Sequence, residues 1–257
     1  KTLKTSLTVD LGIKSHTCDD LDGFDVDHED FQAQGMTNTT NGYRGIHIAQ
    51  GGRIFYILGS TTVLHRFDLT KPFDFKTAKY VNQFDIPSAD ADSINGFSIS
   101  KDGTRLFAVD EGADADTPVL RTYSLSPAFD ITSATEIHSL ALSDPVGNSE
   151  AGLQAARDIE FSHDGGEMFI SVLNANGFTN NAIHQFSLGK NYDVSTATHL
   201  GFHRIVYPQS AIGTHWGFSF SSDGMKLFFV QAGSGQVVDN IYQFDLECPY
   251  GIVSCSS

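Results

Sequence analysis

Apolar and polar residues alternate along this chain with a period of two, the mark of strands with one packed and one solvated face. The alternating runs recur as a unit. One phrase reads Gly45-Ile-His-Ile-Ala-Gln-Gly-Gly52, then Gly96-Phe-Ser-Ile-Ser-Lys-Asp-Gly103, Asp158-Ile-Glu-Phe-Ser-His-Asp-Gly165 and Gly217-Phe-Ser-Phe-Ser-Ser-Asp-Gly224. Each copy precedes a short apolar run, at residues 53–58, 105–109, 167–173 and 226–230. Asp-Gly between alternating segments predicts a hairpin with a primed turn, because Gly accepts the positive φ that such turns require.

A third run follows as His65-Arg-Phe-Asp-Leu69, Arg121-Thr-Tyr-Ser-Leu125, His184-Gln-Phe-Ser-Leu188 and Tyr242-Gln-Phe-Asp-Leu246. A turn then recurs, as in Lys71-Pro-Phe-Asp-Phe-Lys-Thr-Ala78 and Pro127-Ala-Phe-Asp-Ile-Thr-Ser-Ala134. A fourth strand closes three of the units, at 80–86, 136–142 and 199–206. The fourth unit lacks one, whereas residues 3–11 alternate without a unit of their own. Repeats of four strands, each too small to bury its own faces, predict an all-β chain: a four-bladed β-propeller of antiparallel blades. The blades span about 45–86, 96–142, 158–206 and 217–257, in a single domain covering 1–257. The N-terminal strand, 1–11, closes the last blade, or else completes a blade of a neighbouring molecule.

On these repeats the chain resembles the broad YVTN and WD-repeat-like propeller superfamily. It is most similar to units of the type Ser-x-Asp-Gly-x-x-Leu-Phe followed by Tyr-x-Leu-Ser-x-Pro-Phe-Asp-Ile-x-Thr-Ala, found in secreted and phage-associated proteins of marine microbes. The resemblance spans about residues 45–257 and implies architecture, with no shared catalytic motif to carry over.

Charge narrows the range of partners. The 257 residues carry 31 acidic against 16 basic side chains, a formal net charge of −15, which disfavours nucleic acid. No apolar run approaches the roughly 20 residues that span a bilayer. The chain begins at Lys1 without a secretory pattern, so either a leader has been removed or the chain is trimmed. Cys248 and Cys255 flank a Pro-Tyr-Gly turn and are expected to form a disulfide, which implies an oxidising, extracellular or surface-displayed setting.

Candidate chemistry falls in three places. In the first strands, the set Ile46, Ile48, Phe97, Ile99, Ile159, Phe161, Phe218 and Phe220 is expected to pack between blades. The alternate set lines the axis and is mostly Gly and Ser. His47 and Glu160 are its large members, expected to face each other as an acid–base pair, a metal site or a structural ion pair. Around one rim, Arg44, Asn95, Arg157, His215 and Trp216 form a candidate ligand site, with forked Arg donors and an indole suited to an anionic sugar. In the acidic segment 12–44, Asp20, Asp22, Asp25 and Asp27 around Gly23 resemble a Ca²⁺ loop in composition, without EF-hand spacing. Residues 110–116 form a second, weaker acidic loop, and Asn38-Thr-Thr40 matches a glycosylation acceptor.

These features give a leading expectation of a non-enzymatic extracellular module that binds a glycan or surface polysaccharide, or associates with itself as an adhesin or filament component. Two alternatives stand beside it. One is a polysaccharide lyase or hydrolase using His47, Glu160, His215 and Arg157 at the axial mouth. The other is a structural fibre subunit joined by exchange of the N-terminal strand.

Overall fold

The computed structural model describes residues 43–59, 62–88, 94–111, 118–142, 153, 155–173, 182–205, 213–233 and 240–253. Four antiparallel sheets are arranged around an axis as a four-bladed β-propeller. Blade 1 comprises β1 (Tyr43–Ala49), β2 (Ile54–Gly59), β3 (Val63–Leu69) and β4 (Ala78–Asp85). Blade 2 comprises β5 (Ile94–Ile99), β6 (Arg105–Asp110), β7 (Val119–Ser124) and β8 (Thr135–Ala141). Blade 3 holds β9 (Ala156–Phe161), β10 (Glu167–Val172), β11 (Ala182–Leu188) and β12 (Ala197–Arg204), and blade 4 holds β13 (Gly213–Phe220), β14 (Lys226–Gly233) and β15 (Asn240–Asp245). Strands are paired in sequence order within each blade. The innermost strands also meet in order, β1 with β5, β5 with β9 and β9 with β13. The expected closing strand at residues 1–11 lies outside the described residues, as do the acidic segment's Asp20, Asp22, Asp25 and Asp27, and Asn38.

Two recurring sequence phrases lock together to shape each blade. The Asp-Gly hairpins differ from the primed turn expected from sequence. In blade 2, Ser100 N–H donates to the Arg105 carbonyl (3.0 Å), so four residues span the turn, of which only Gly103 has positive φ (+71°). Asp102 shapes it by accepting from the Ser100 hydroxyl (2.6 Å) and Thr104 N–H (3.0 Å). An Asx-type bond of this kind replaces the second left-handed residue. Onto each turn glycine folds the aromatic residue of the later turn. Phe73, Phe129, Tyr192 and Tyr250 all have positive φ, and their N–H groups donate to Gly52, Gly103, Gly165 and Gly224 at 2.8 to 2.9 Å. The next residue in three blades, Asp74, Asp130 or Asp193, caps a single 3₁₀ turn.

The core lies between blades. Tyr56, Phe107 and Phe169 occupy the same position on the second strands of blades 1 to 3 and have no exposed surface. Each is covered by the following blade: the Tyr56 hydroxyl donates to the Phe129 carbonyl (2.7 Å), Phe107 meets Phe161 (4.4 Å between ring centres), and Phe169 meets Phe220 (4.7 Å). Burial of each ring is worth about 2–3 kcal/mol. The apolar set of the first strands faces the preceding blade. Phe97, Ile99, Ile159 and Phe218 are accordingly buried, but Ile46 and Ile48 are 59% and 41% exposed. The expectation that those two pack between blades is therefore corrected: among the described residues no blade covers that face of blade 1.

Cys248 is disulfide-bonded. Its expected partner Cys255 lies outside the described residues. No helix among the described residues is long and apolar enough to cross a membrane.

Candidate functional site

A bulge at the same point of every first strand builds one mouth of the axial channel. In β1 the pairing skips Arg44, in β5 Asn95, in β9 Arg157 and in β13 Trp216. Bulges re-aim a side chain out of the pleat, as at Arg44, Asn95 and Arg157, and Trp216 holds the same backbone position; these four are the rim residues expected from sequence. Three of them join one network. Arg44 Nη1 donates to Asn95 Oδ1 (2.9 Å) and to the Ile94 carbonyl (3.1 Å). Asn95 Nδ2 donates to Glu111 (2.8 Å) and to the Ala156 carbonyl (3.2 Å), and Arg157 Nη1 reaches the same Glu111 oxygen at 3.4 Å. Burial pulls the Arg157 guanidinium below its usual value, with Glu111 opposing and Arg44 adding to the effect. The network ties blades 1, 2 and 3 together through groups suited to gripping an anion. His215 and Trp216 lie in β13, and their side chains are outside the described residues.

Within the channel, Asp158 and Glu160 project from β9 on the same side, two residues apart. Asp158 takes a position that is Gly45, Gly96 and Gly217 in the other repeats. The neighbouring glycines make room for it: a Cβ on Gly96 would lie 2.6 Å from Asp158 Cα and 2.7 Å from its Oδ1, and one on Gly217 would lie 3.5 Å from Oδ2. Its carboxylate accepts from Ile159 N–H (2.9 Å) and Phe218 N–H (3.2 Å). Burial pushes the Asp158 carboxyl up to about 7, against the pull of those two donors. Glu160 is pushed further, to about 8, by burial and then by the Asp158 charge. Both side chains keep some surface, but blades on several sides leave few waters to solvate a charge.

Two cavities meet at Glu160. One of about 410 Å³ opens between blades 4 and 1 and holds Arg44, Asp158, Glu160 and Ser219. The other, about 490 Å³, opens on the turn side and holds His47, Ser98, Ser100, Glu160 and Ser162. His47 and Glu160 thus share a cavity without an ion pair between them at 4 Å or less. His47 rests beside the Phe97 ring (6.2 Å between centres), and burial pulls its imidazole down to about 4. At neutral pH the cavity therefore presents a neutral imidazole and a protonated carboxyl group. Among the described residues no three His, Cys, Asp or Glu side chains converge closely enough to hold a metal ion.

Asp158 lies outside the site expected from sequence, although a carboxylate at a repeat position otherwise held by Gly marks it there. The sequence places Glu111 in the second, weaker acidic loop. It joins the rim instead, while Asp110 pairs with Arg121 (2.9 Å).

No protein-family model matches the chain, and no curated protein matches it. Solved structures are similar in fold. A protein from Bacteroides fragilis assigned as a 6-phosphogluconolactonase is 15% identical, with a TM-score of 0.45 over 80% of this chain and 56% of its own. A counterpart from Bacteroides uniformis is 16% identical, with a TM-score of 0.45 over 78% and 53%. The periplasmic gluconolactonase of Pseudomonas aeruginosa is 17% identical, with a TM-score of 0.44 over 78% and 52%. This chain spans about half the length of each.

The expectation of a non-enzymatic glycan-binding module, and with it the purely structural fibre subunit, is corrected. The solved structures similar in fold bear the names of enzymes, and Arg44 and Arg157, the donors meant for an anionic sugar, already bond within the rim.

Proposed function

We propose that this protein is a hydrolase acting in the axial cavity on a small, uncharged, sugar-sized ester. The observation that carries this reading is the shared cavity in which His47 is held neutral and Glu160 protonated. In the proposed step His47 takes a proton from water as its oxygen attacks the ester carbonyl. Glu160 gives its proton to the leaving alkoxide, and the products are a carboxylic acid and an alcohol. Solvent then returns the proton from His47 to Glu160. Asp158 acts as a positioning residue, since its charge, held by two N–H donors, favours the protonated form of Glu160. The neutral imidazole and protonated carboxyl group of the cavity, with the overall charge of −15, favour an uncharged substrate over an anion. An extracytoplasmic location goes with this reading, in keeping with the resemblance to secreted repeat proteins.

The test is hydrolysis of a panel of neutral aryl esters and sugar lactones, the latter being the class in the names of the solved structures. The expected pH profile of kcat/KM rises through about 4, where His47 becomes a base, and falls through about 8, where Glu160 loses its proton. His47→Asn and Glu160→Gln should each lower kcat/KM by about 10²-fold or more in folded protein. Absence of turnover across the panel, or a Glu160→Gln enzyme that keeps both its rate and the alkaline limb, overturns the assignment.

A further inference from the structure

Among the described residues one type of interface occurs three times, and both halves of a fourth are present. In each internal interface, two apolar residues of a first strand and one positive-φ aromatic residue press onto the preceding blade. Phe97, Ile99 and Phe129 do so against blade 1 and are 9% exposed or less. The receiving surface is an aromatic residue and its neighbour two positions on: Tyr56 with Leu58, Phe107 with Val109, Phe169 with Ser171. All six have no exposed surface.

Pairing register identifies the unused halves. Phe228 pairs with Ser219 as Tyr56 does with His47, and Val230 pairs with Gly217 as Leu58 does with Gly45. They form the receiving surface of blade 4. Val230 is 46% exposed and Phe228 half-buried. The pressing surface of blade 1 is equally bare, with Ile46 at 59%, Ile48 at 41% and Phe73 at 61%. Among the described residues the two halves do not bury each other: Ile46, Phe228 and Val230 line the 410 Å³ opening between blades 4 and 1. Apolar surface grouped in this way marks an interaction site.

We infer that blade 4 of one molecule seats on blade 1 of a second copy, repeating the internal interface between chains. The occupant that fits is another blade of the same design, since each half is shaped to the other by the register of the repeats. Because the contact joins two different surfaces, two copies close on each other only if both contacts form together, and otherwise further copies add. The charge of −15 per chain opposes association and is screened by salt, so added salt strengthens it.

Sedimentation velocity on the full chain, from roughly 1 to 100 µM, tests the contact. Growth from the 27.9 kDa monomer to twice that mass or more, favoured by salt, is expected. Ile46→Asp with Ile48→Asp blocks blade 1, and Val230→Asp blocks blade 4. Each variant alone should associate about tenfold or more weakly, whereas a mixture of the two restores a heterodimer, because the intact blade 4 of one meets the intact blade 1 of the other. A wild-type chain that stays monomeric over the whole range overturns the inference, whether residues 1–42 or a foreign protein cover the face. Unaltered association of either variant, or no recovery on mixing, also overturns it. Should a variant fail to fold, Ile48→Cys mixed with Val230→Cys decides: a crosslink joining unlike chains in preference to like ones supports the contact, and its absence refutes it.

Discussion

Replacing Glu160 with Gln should flatten the stability of this protein against pH on the alkaline side. In the unfolded chain Glu160 ionises near its ordinary 4.5, whereas the folded chain keeps it protonated up to about 8. Between those values the folded state binds the extra proton, so stability is fullest at low pH and is lost as pH rises through 8. His47 acts in the opposite sense: its folded value is near 4 against an ordinary 6.5, so its effect is lost stability as pH falls below 6.5. The window from pH 6.5 to 8 therefore isolates Glu160 from the imidazole. A difference of one bound proton over 1.5 pH units, at about 1.4 kcal/mol per unit, accumulates to about 2 kcal/mol. For a chain of this length that corresponds to a fall in melting temperature of about 4–8 °C. Asp158 contributes with the same sign and, raised to about 7 in the folded chain, titrates within the same window, but Glu160→Gln leaves its contribution in place, so the difference between the two proteins reports Glu160. Calorimetric melts of both proteins from pH 6.5 to 8.5 should show the wild type losing several degrees more than the variant. Parallel curves would refute the claim that Glu160 is protonated at neutral pH, and with it the acid in the proposed hydrolysis.

Two further predictions concern the frame. Gly103→Ala places a methyl group inside the Phe129 ring at a backbone φ of +71° and should cost about 2–4 kcal/mol in urea unfolding; adding Phe129→Ala should recover part of that loss, and strictly additive effects would count against the clamp. Arg121→Ala strips the 2.9 Å ion-pair partner from Asp110, itself 1% exposed, and should cost about 3 kcal/mol by the same measure, where a loss below about 0.5 kcal/mol would show that other donors suffice.

The repeat phrases made the blades legible because each phrase has a local physical cause. Ser100, Asp102 and Gly103 bend the chain by bonds among themselves, and Phe129 with Asp130 shapes the next turn onto the same glycine. Such interactions span a few tens of residues at most and recur, so four copies reinforce one reading. The rim was legible in part: Arg44, Asn95, Arg157 and Trp216 were singled out as residues that lead into the first strands, a position the bulges give physical form. Their bonding was not legible, since Glu111, from the end of a different strand, supplies the oxygen shared by Asn95 and Arg157. Asp158 was hidden for a related reason. Its environment is made by what Gly96 and Gly217 lack, on strands about 60 residues away on either side.

The alternation of apolar residues, the Asp-Gly turns and the aromatic clamps determined on their own that this chain folds as successive four-stranded blades, because strand pairing and turn geometry are set by neighbours in sequence. Tertiary structure alone decided which blade each face meets, that Ile46, Ile48 and Phe73 meet none among the described residues, and that Glu160 keeps its proton. Those properties depend on solvent excluded by distant parts of the chain, and exclusion of water is a property of the assembled fold rather than of any local pattern.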